Sequence, residues 1–288
     1  MQFDSYLSEK QRRRRRGRRF LFVAFAAAAA VLALLGIALA LLRAPLFRVD
    51  RIAVAGNAAV PADQVIAIAE AAAGRGHPFF GALLGYRNML AWPDSLSSSD
   101  LAFDPRLRSA SLSKDYFTHT LTINVTERSA AGIWCFMPRN APGGASSTVS
   151  AASGAGGGAN EHCYWFDANG FMFARAPDTQ GNLIPVVHDY SQSDPGLAHE
   201  ILPAEFVPNL VSVLDTLNAS GIGVADIALK DLSLEEVDVS TTNGPDLYFS
   251  LRFSAAEDLA VLEQLMSQPN FGRLQYIDFR VERRAYYR

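Results

Sequence analysis

The chain has 288 residues and a formal net charge of −3, but its charge is unevenly distributed. Eight of the 26 basic and two of the 29 acidic residues lie in the first nineteen positions, which leaves 18 basic and 27 acidic residues beyond them, a net charge of −9. Nucleic-acid binding requires a basic surface, so this composition argues against that class of function.

Residues 20–42 contain 23 consecutive positions without a charged or hydrogen-bonding side chain. At the helical rise this segment reaches about 34 Å, and the hydrocarbon core of a bilayer is about 30 Å thick. The segment is therefore predicted to be a transmembrane helix. A cleaved signal peptide is the alternative, because Ala38-Leu39-Ala40 resembles a small-x-small cleavage site. Signal h-regions are shorter, about 7–15 residues, which favours an uncleaved anchor.

The flanking charges predict the orientation of this helix. Only Arg43 follows it closely, whereas eight basic residues precede it: Lys10, Arg12, Arg13, Arg14, Arg15, Arg16, Arg18 and Arg19. Residues 1–19 are therefore expected to be a basic cytoplasmic tail at the membrane surface, with the bulk of the chain exported. About 245 residues follow the helix, enough for two domains of modest size.

The only cysteines are Cys135 and Cys163, both in the exported part. An oxidising compartment would join them in a disulfide that closes a loop of about 29 residues. Two free buried thiols are the alternative, and so is a metal site, because His162 adjoins Cys163. No other histidine lies near enough to complete a set of four zinc ligands, so neither a metal nor a cofactor is predicted.

The first exported region, residues 46–128, is predicted to contain three strands and two helices. Pro61 opens the main helix and Gly74 follows its apolar stripe of Val65, Ile68, Ala69 and Ala72, as expected for a helix start and end. Two later segments alternate apolar and polar residues, which indicates half-buried strands. In order, the predicted elements are a strand at 51–54, a helix at 61–74, a short helix at 96–103 and strands at 108–113 and 120–126. This β-α-α-β-β order resembles that of a POTRA domain.

Several short motifs lie in and directly after this region, just outside the single apolar segment. In chain order they are Phe47-x-Val49, Ile52-x-Val54-x-Gly56-Asn57, Asp104-Pro105-x-Leu107-x-x-Ala110, Leu121-x-Ile123-x-Val125-x-Glu127-Arg128 and Trp134. In their order and spacing these motifs resemble the FtsQ/DivIB family of bacterial cell-division proteins. Thr118 and Ser129 stand where the family commonly has proline.

Residues 129–288 are predicted to form a second, mostly antiparallel β domain with two helices, which makes the fold class α+β. Residues 138–161 are rich in Gly, Ala and Ser and are predicted to be a flexible insert, either a tolerated loop or a binding arm. Ser254 begins a capping-box pattern, and Pro208 marks the other helix start. The predicted strands are 132–136, 163–167, 171–173, 183–187, 223–229, 235–241 and 246–253, and the helices lie at about 204–219 and from Ser254 to Pro269.

The C-terminal sequence Tyr276-Ile277-Asp278-x-Arg280 is also similar to the FtsQ/DivIB family. In this strand Ile277, Phe279 and Val281 are expected to face the core, while Asp278 and Arg280 face the other side and pair across strands. The chain ends soon after this strand, which predicts an open sheet edge. Family resemblance implies that partners dock on the residues that follow the motif: Val281, Glu282, Arg283, Arg284, Ala285, Tyr286 and Tyr287.

The alternative for this edge is simple protection, in which Glu282, Arg283, Arg284 and Arg288 only block pairing with other chains. If the edge instead binds a partner strand, Tyr286 and Tyr287 are the expected anchors. Arg283 and Arg284 are then the expected contacts to an acidic segment of the partner.

No motif for a serine hydrolase, zinc protease or phosphate-binding loop occurs in the sequence, which argues against an enzyme. His77, His119, His188 and His199 show no catalytic spacing and are interpreted as surface or turn residues.

The resemblance implies a non-enzymatic scaffold of the divisome, single-pass in the plasma membrane at the division septum, which helps control septal peptidoglycan synthesis. The implied partners are FtsB/DivIC-like and FtsL-like single-span proteins at the C-terminal domain and an FtsK-like protein at the POTRA domain. The alternatives are a membrane-anchored cell-wall enzyme and a POTRA protein of outer-membrane assembly.

Overall fold

The computed structural model describes residues 3–76, 85–138, 162–177 and 184–288, with side chains from residue 23 onward except at position 76. The chain divides into two compact units. The first comprises Met1–Asn57, Pro61–Asp100 and Ala110–Val125, and the second comprises Ala58–Val60, Leu101–Ser109 and Thr126–Arg288. The fold class is α+β, as predicted.

The first unit begins with helix α1, Phe3–Leu42, which is 40 residues long and starts well before the apolar segment. Its apolar part, Val23–Leu42, has a mean hydropathy of 2.7, and its most apolar stretch is not buried by any other described part of the chain. It is the one described helix that is long and apolar enough to cross a membrane. A helix of this kind near an N-terminus serves as a membrane anchor or as a signal sequence.

A three-stranded sheet with the order β1-β3-β2 follows α1. Strands β1 and β3 pair in parallel, which requires a crossover connection between them, and the helices supply it. Gly56 (φ +85°) ends β1, and a Cβ there would collide with the carbonyl oxygen of Val125, so glycine is required at this position. The elements are β1 Arg51–Ala55, α2 Ala62–Gly76, α3 Ser98–Leu101, β2 Leu107–Asp115 and β3 Thr120–Glu127.

The second unit contains a nine-stranded sheet with the order β12-β11-β10-β9-β8-β7-β4-β5-β6. Two helices, α4 Val207–Ser220 and α5 Asp258–Met266, connect its strands. The strands are β4 Gly132–Phe136, β5 Cys163–Phe166, β6 Met172–Arg175, β7 Val186–Asp189, β8 Val224–Leu229, β9 Glu236–Thr241, β10 Asp246–Ser250, β11 Tyr276–Val281 and β12 Arg284–Tyr287.

This sheet is mixed, and most of its pairings are antiparallel, as the sequence predicted. Five of the eight described pairings are antiparallel, and three are parallel. Two of the parallel pairs are consequences of the two helices. Helix α4 lies between β7 and β8, and α5 lies between β10 and β11, so each helix returns the chain to the end of the sheet where the preceding strand began.

Several boundaries differ from the predicted ones. Strand β10 ends at Ser250 and not at 253, and β7 begins at Val186. Helix α4 begins at Val207, with Phe206 at the N-cap and Pro208 in the first turn, close to the predicted start. Ser254 accepts a hydrogen bond from the Ala256 N–H at 3.3 Å, and a short 3-10 turn precedes α5.

The main core lies where α4 and α5 pack on one face of the large sheet. A smaller apolar cluster lies on the other face, around Ile133, Cys135 and Cys163. Cys135 and Cys163 face each other in the β4–β5 pair and are joined by a disulfide, with Cα atoms 4.1 Å apart. The predicted insert, residues 138–161, lies outside the described residues apart from Pro138.

Glu127, from the Glu127-Arg128 motif, makes specific contacts in the second unit. The Glu127 carboxylate accepts hydrogen bonds from the backbone N–H groups of Ala58, Ala59 and Val60 at 2.8 to 3.1 Å. Partial burial alone would raise the pKa of Glu127, but these donors, aided by Arg106, lower it below its ordinary value. The carboxylate therefore fixes the turn of residues 58–60.

Candidate functional site: the β12 edge of the large sheet

Strand β12 forms one edge of the nine-stranded sheet within the described chain, with β11 as its neighbour. The two strands are antiparallel, with Asp278 opposite Tyr286 and Ile277 opposite Tyr287. A two-residue turn joins them, and its second residue, Arg283, has the left-handed φ of 58°. Of the terminal residues predicted as a partner site, Val281 ends β11, and the others form the turn and the outermost strand.

The backbone of β12 offers donors for an additional strand. The Arg288 N–H donates to the Tyr276 carbonyl oxygen at 3.3 Å and so points toward β11. Because N–H directions alternate along a strand, those of Ala285 and Tyr287 point away from β11. Such outward groups are the ones that a partner strand pairs with.

The side chains of β12 divide between the two faces of the sheet. Ala285 is partly buried against the main core, whereas Tyr286 is 49% exposed and Tyr287 is 53% exposed. By alternation Arg284 and Tyr286 share the face that carries Asp278, opposite to the core. Both predicted tyrosine anchors are therefore accessible on the strand.

Val281 is 45% exposed, which corrects the prediction that it faces the core with Ile277 and Phe279. Those two residues are fully buried. The register between β11 and β12 shifts between Asp278 and Val281, where two residues of β11 face a single residue of β12. This bulge ends the alternation that the prediction assumed.

Arg280 makes several side-chain contacts on β11, the strand next to β12. Its guanidinium makes two hydrogen bonds to Asp278 at 2.6 and 2.9 Å and one to Glu236 at 2.8 Å, and it lies 5.1 Å from the ring centre of Tyr248. The bond to Arg280 lowers the pKa of Asp278, and the bonds to Asp278 and Glu236 raise the pKa of Arg280. Asp278 and Arg280 were predicted to pair across strands. Instead they bond to each other within β11, and Arg280 also bonds to Glu236 on β9.

The two arginines proposed as partner contacts are both exposed. Arg283 lies 3.3 Å from Glu257 in a pair whose side chains are 74% and 71% exposed, an arrangement of little energetic weight. The Tyr286 hydroxyl contacts the Arg284 guanidinium and raises the pKa of Arg284. Both guanidinium groups remain accessible to an acidic segment.

Asp258, at the start of α5, is only 7% exposed. Burial, with a smaller effect of the Glu257 charge, raises its pKa from 3.8 to about 6. The folded protein therefore binds this proton more tightly than the unfolded chain, so stability falls as pH rises from about 4 to 6 and the loss is complete above pH 6.

Replacing Asp258→Asn is expected to raise the free energy of unfolding at pH 8 by about 1–3 kcal/mol and to change it little at pH 4. Chemical unfolding from pH 4 to 8 measures this difference. Asp215→Asn, a change of an exposed carboxylate on α4, is the matched control. A stability difference that does not vary with pH would show that Asp258 is ionised normally.

A cleft of about 460 Å³ lies elsewhere in the second unit, at β4, β7, β8 and the C-terminal end of α4. Its walls are about equally polar and apolar and include the disulfide. His188 Nδ1 lies 2.5 Å from Asp226 Oδ1 within it. This pair can orient an imidazole as a base, but the described lining carries no hydroxyl, amine or free thiol that could act as a nucleophile.

His188 corrects the interpretation of the histidines as surface or turn residues, because it lies on β7 and is half-buried. His119 has a buried Nδ1 with no hydrogen-bond partner among the described residues, and it lies in a turn with φ 54°. His199 is exposed and its Nδ1 contacts the Leu197 carbonyl. His77 lies outside the described residues. No cluster of three metal-ligating side chains occurs among the described residues.

A scan of the chain against protein-family models finds no match, and a search of curated proteins finds no significant match. The resemblance to FtsQ/DivIB therefore stands on the motifs and on the order of the elements.

Proposed function

We propose that the protein is a non-enzymatic, single-pass scaffold of the bacterial divisome that binds partner proteins at the β12 edge. The observation that carries the proposal is this edge: outward backbone donors together with accessible tyrosine and arginine side chains. Main-chain hydrogen bonds supply affinity in such strand addition, and alternate side chains supply specificity. The partners are FtsB/DivIC-like and FtsL-like proteins, which help control septal peptidoglycan synthesis.

In this proposal α1 is an uncleaved plasma-membrane anchor whose basic N-terminal part stays in the cytoplasm. Residues 46–128 are a POTRA domain that contacts an FtsK-like partner, and residues 129–288 are the C-terminal docking domain. Both regions lie outside the cytoplasm, where a disulfide between Cys135 and Cys163 is stable.

Depletion of the protein followed by complementation tests this function. Depleted cells are expected to form filaments, and the wild-type chain is expected to restore division. His188→Ala should also restore it, because a scaffold does not need the histidine of the cleft. Normal division after depletion would contradict the proposal. Failure of a stably folded His188→Ala variant would instead favour the alternative of a membrane-anchored cell-wall enzyme.

A further inference from the structure

The hairpin turn between β2 and β3 carries Phe117, which is 93% exposed. This side chain is more exposed than Phe25 within the apolar helix, at 76%. The turn is ordered, because Asp115 Oδ1 accepts the backbone N–H groups of Phe117 and Thr118 at 2.9 and 3.2 Å. Hydrogen bonds from Thr118, and then from Phe117, lower the pKa of Asp115. Phe117 is therefore held outward by a fixed turn.

This turn is tied to the chain that leaves α1, within the first unit. Phe47 lies five residues after the end of α1 and packs edge-to-face on Tyr116, with ring centres 5.8 Å apart. The backbone N–H groups of Asp50 and Arg51 both donate to the His119 carbonyl. The hairpin tip thus lies beside the segment that follows the apolar helix.

A second contact holds the end of the helix itself. The Asn88 side-chain amide donates to the Leu42 carbonyl oxygen at 2.7 Å, and Leu42 is the last residue of α1. Asn88 is buried, and its Oδ1 also accepts the Leu90 N–H, so the amide is fixed in the fold. The folded part of the first unit therefore begins at the end of the apolar helix, without a long free linker.

We propose that the surface formed by Leu46, Phe47, Tyr116 and Phe117 inserts into the headgroup interface of the bilayer that α1 spans. This inference rests on the proposed membrane anchor. A helix that ends at Leu42 places that residue near the boundary of the hydrocarbon core, where aromatic side chains are enriched. Leu46 is 48% exposed, and together with Phe117 it forms an apolar surface that lipid covers. Arg43, which is exposed and directly follows α1 in the sequence, meets anionic headgroups.

The test uses the full-length chain labelled with an environment-sensitive fluorophore at one engineered cysteine. The two native cysteines are joined, so they do not compete for the label, and the unsubstituted protein is the labelling blank. Phe117→Cys is the test position, and Asp63→Cys, exposed in the first turn of α2, is the matched control. Leu35→Cys, inside the apolar helix, reports whether α1 is inserted.

Each labelled protein is reconstituted into phosphatidylethanolamine and phosphatidylglycerol vesicles with and without headgroup- and acyl-chain-nitroxide lipids. The probe at position 117 is expected to lose at least half of its fluorescence to the headgroup nitroxide, with no loss at position 63. An unquenched probe at 117 with a quenched probe at 35 would overturn the interface contact alone. An unquenched probe at 35 would overturn the membrane anchor and this inference with it.

Discussion

Replacing Arg284→Ala together with Tyr286→Glu is expected to weaken binding of an FtsB-like partner at least 100-fold while leaving the folded protein intact. Both side chains are exposed on the face of β12 opposite the core, so neither supports the packing. Tyrosine and arginine are the residue types that most often dominate interface energies, at 2 kcal/mol or more for each hot spot. A 100-fold loss corresponds to about 3 kcal/mol.

Pull-down and titration of the full-length protein with the partner measure this loss. The conservative pair Arg284→Lys and Tyr286→Phe keeps the charge and the ring, and it is expected to stay within tenfold of wild type. A melting temperature close to wild type shows that the edge variant is folded. Undiminished binding by the folded edge variant would mean that the edge is only protected by its charges and that partners bind another surface.

A large loss of stability is expected when the ion pair between Arg128 and Asp167 is broken. The side chains of this pair are 16% and 4% exposed. Asp167 Oδ2 accepts from Arg128 Nη1 at 2.6 Å, and Oδ1 accepts the backbone N–H groups of Asn169 and Phe171. The guanidinium also lies 4.1 Å from the ring centre of Phe171. Asp167→Ala leaves a buried cation and two turn donors without their acceptor, at a cost of about 3–5 kcal/mol.

A decrease of this size should lower the melting temperature by about 6–20 °C for a unit of this length. Arg252→Ala, which breaks an exposed pair with Glu235, should cost less than about 1 kcal/mol. In a double-mutant cycle, Arg128→Met should recover part of the loss caused by Asp167→Ala, because the unpaired buried charge is removed. Additive effects of the two changes would show that the pair does not interact energetically.

Periodic elements could be predicted from the sequence because their signal is local. Strand β3 alternates from Thr120 to Glu127, with Leu121, Ile123 and Val125 buried. Helix α2 buries its predicted apolar stripe, which consists of Val65, Ile68, Ala69 and Ala72. Sheet order could not be predicted, because it depends on which strands meet after the helices return the chain. The parallel pairs beside α4 and α5 show this.

The candidate site was predictable in its position but not in its details. The turn and outermost strand follow from the terminal motif, whereas the exposure of Val281 depends on a bulge that has no sequence signature here. The contacts that needed the structure join distant residues. His188 and Asp226 are 38 positions apart, and Arg128 and Asp167 are 39 apart. Alternation indicates that His188 lies on the face opposite Val187, but it does not identify its partner.

The central claim is that a partner strand adds to β12, and amide hydrogen exchange of the full-length protein with and without a saturating FtsB-like partner tests it most directly. Without the partner, the outward N–H groups of Ala285 and Tyr287 should exchange rapidly. With the partner bound, about two more amides in the peptide that covers residues 284–288 should be protected from exchange. Deuterium uptake in β8, in the middle of the sheet, should not change. Unchanged exchange across residues 284–288 with the partner bound would contradict strand addition at this edge.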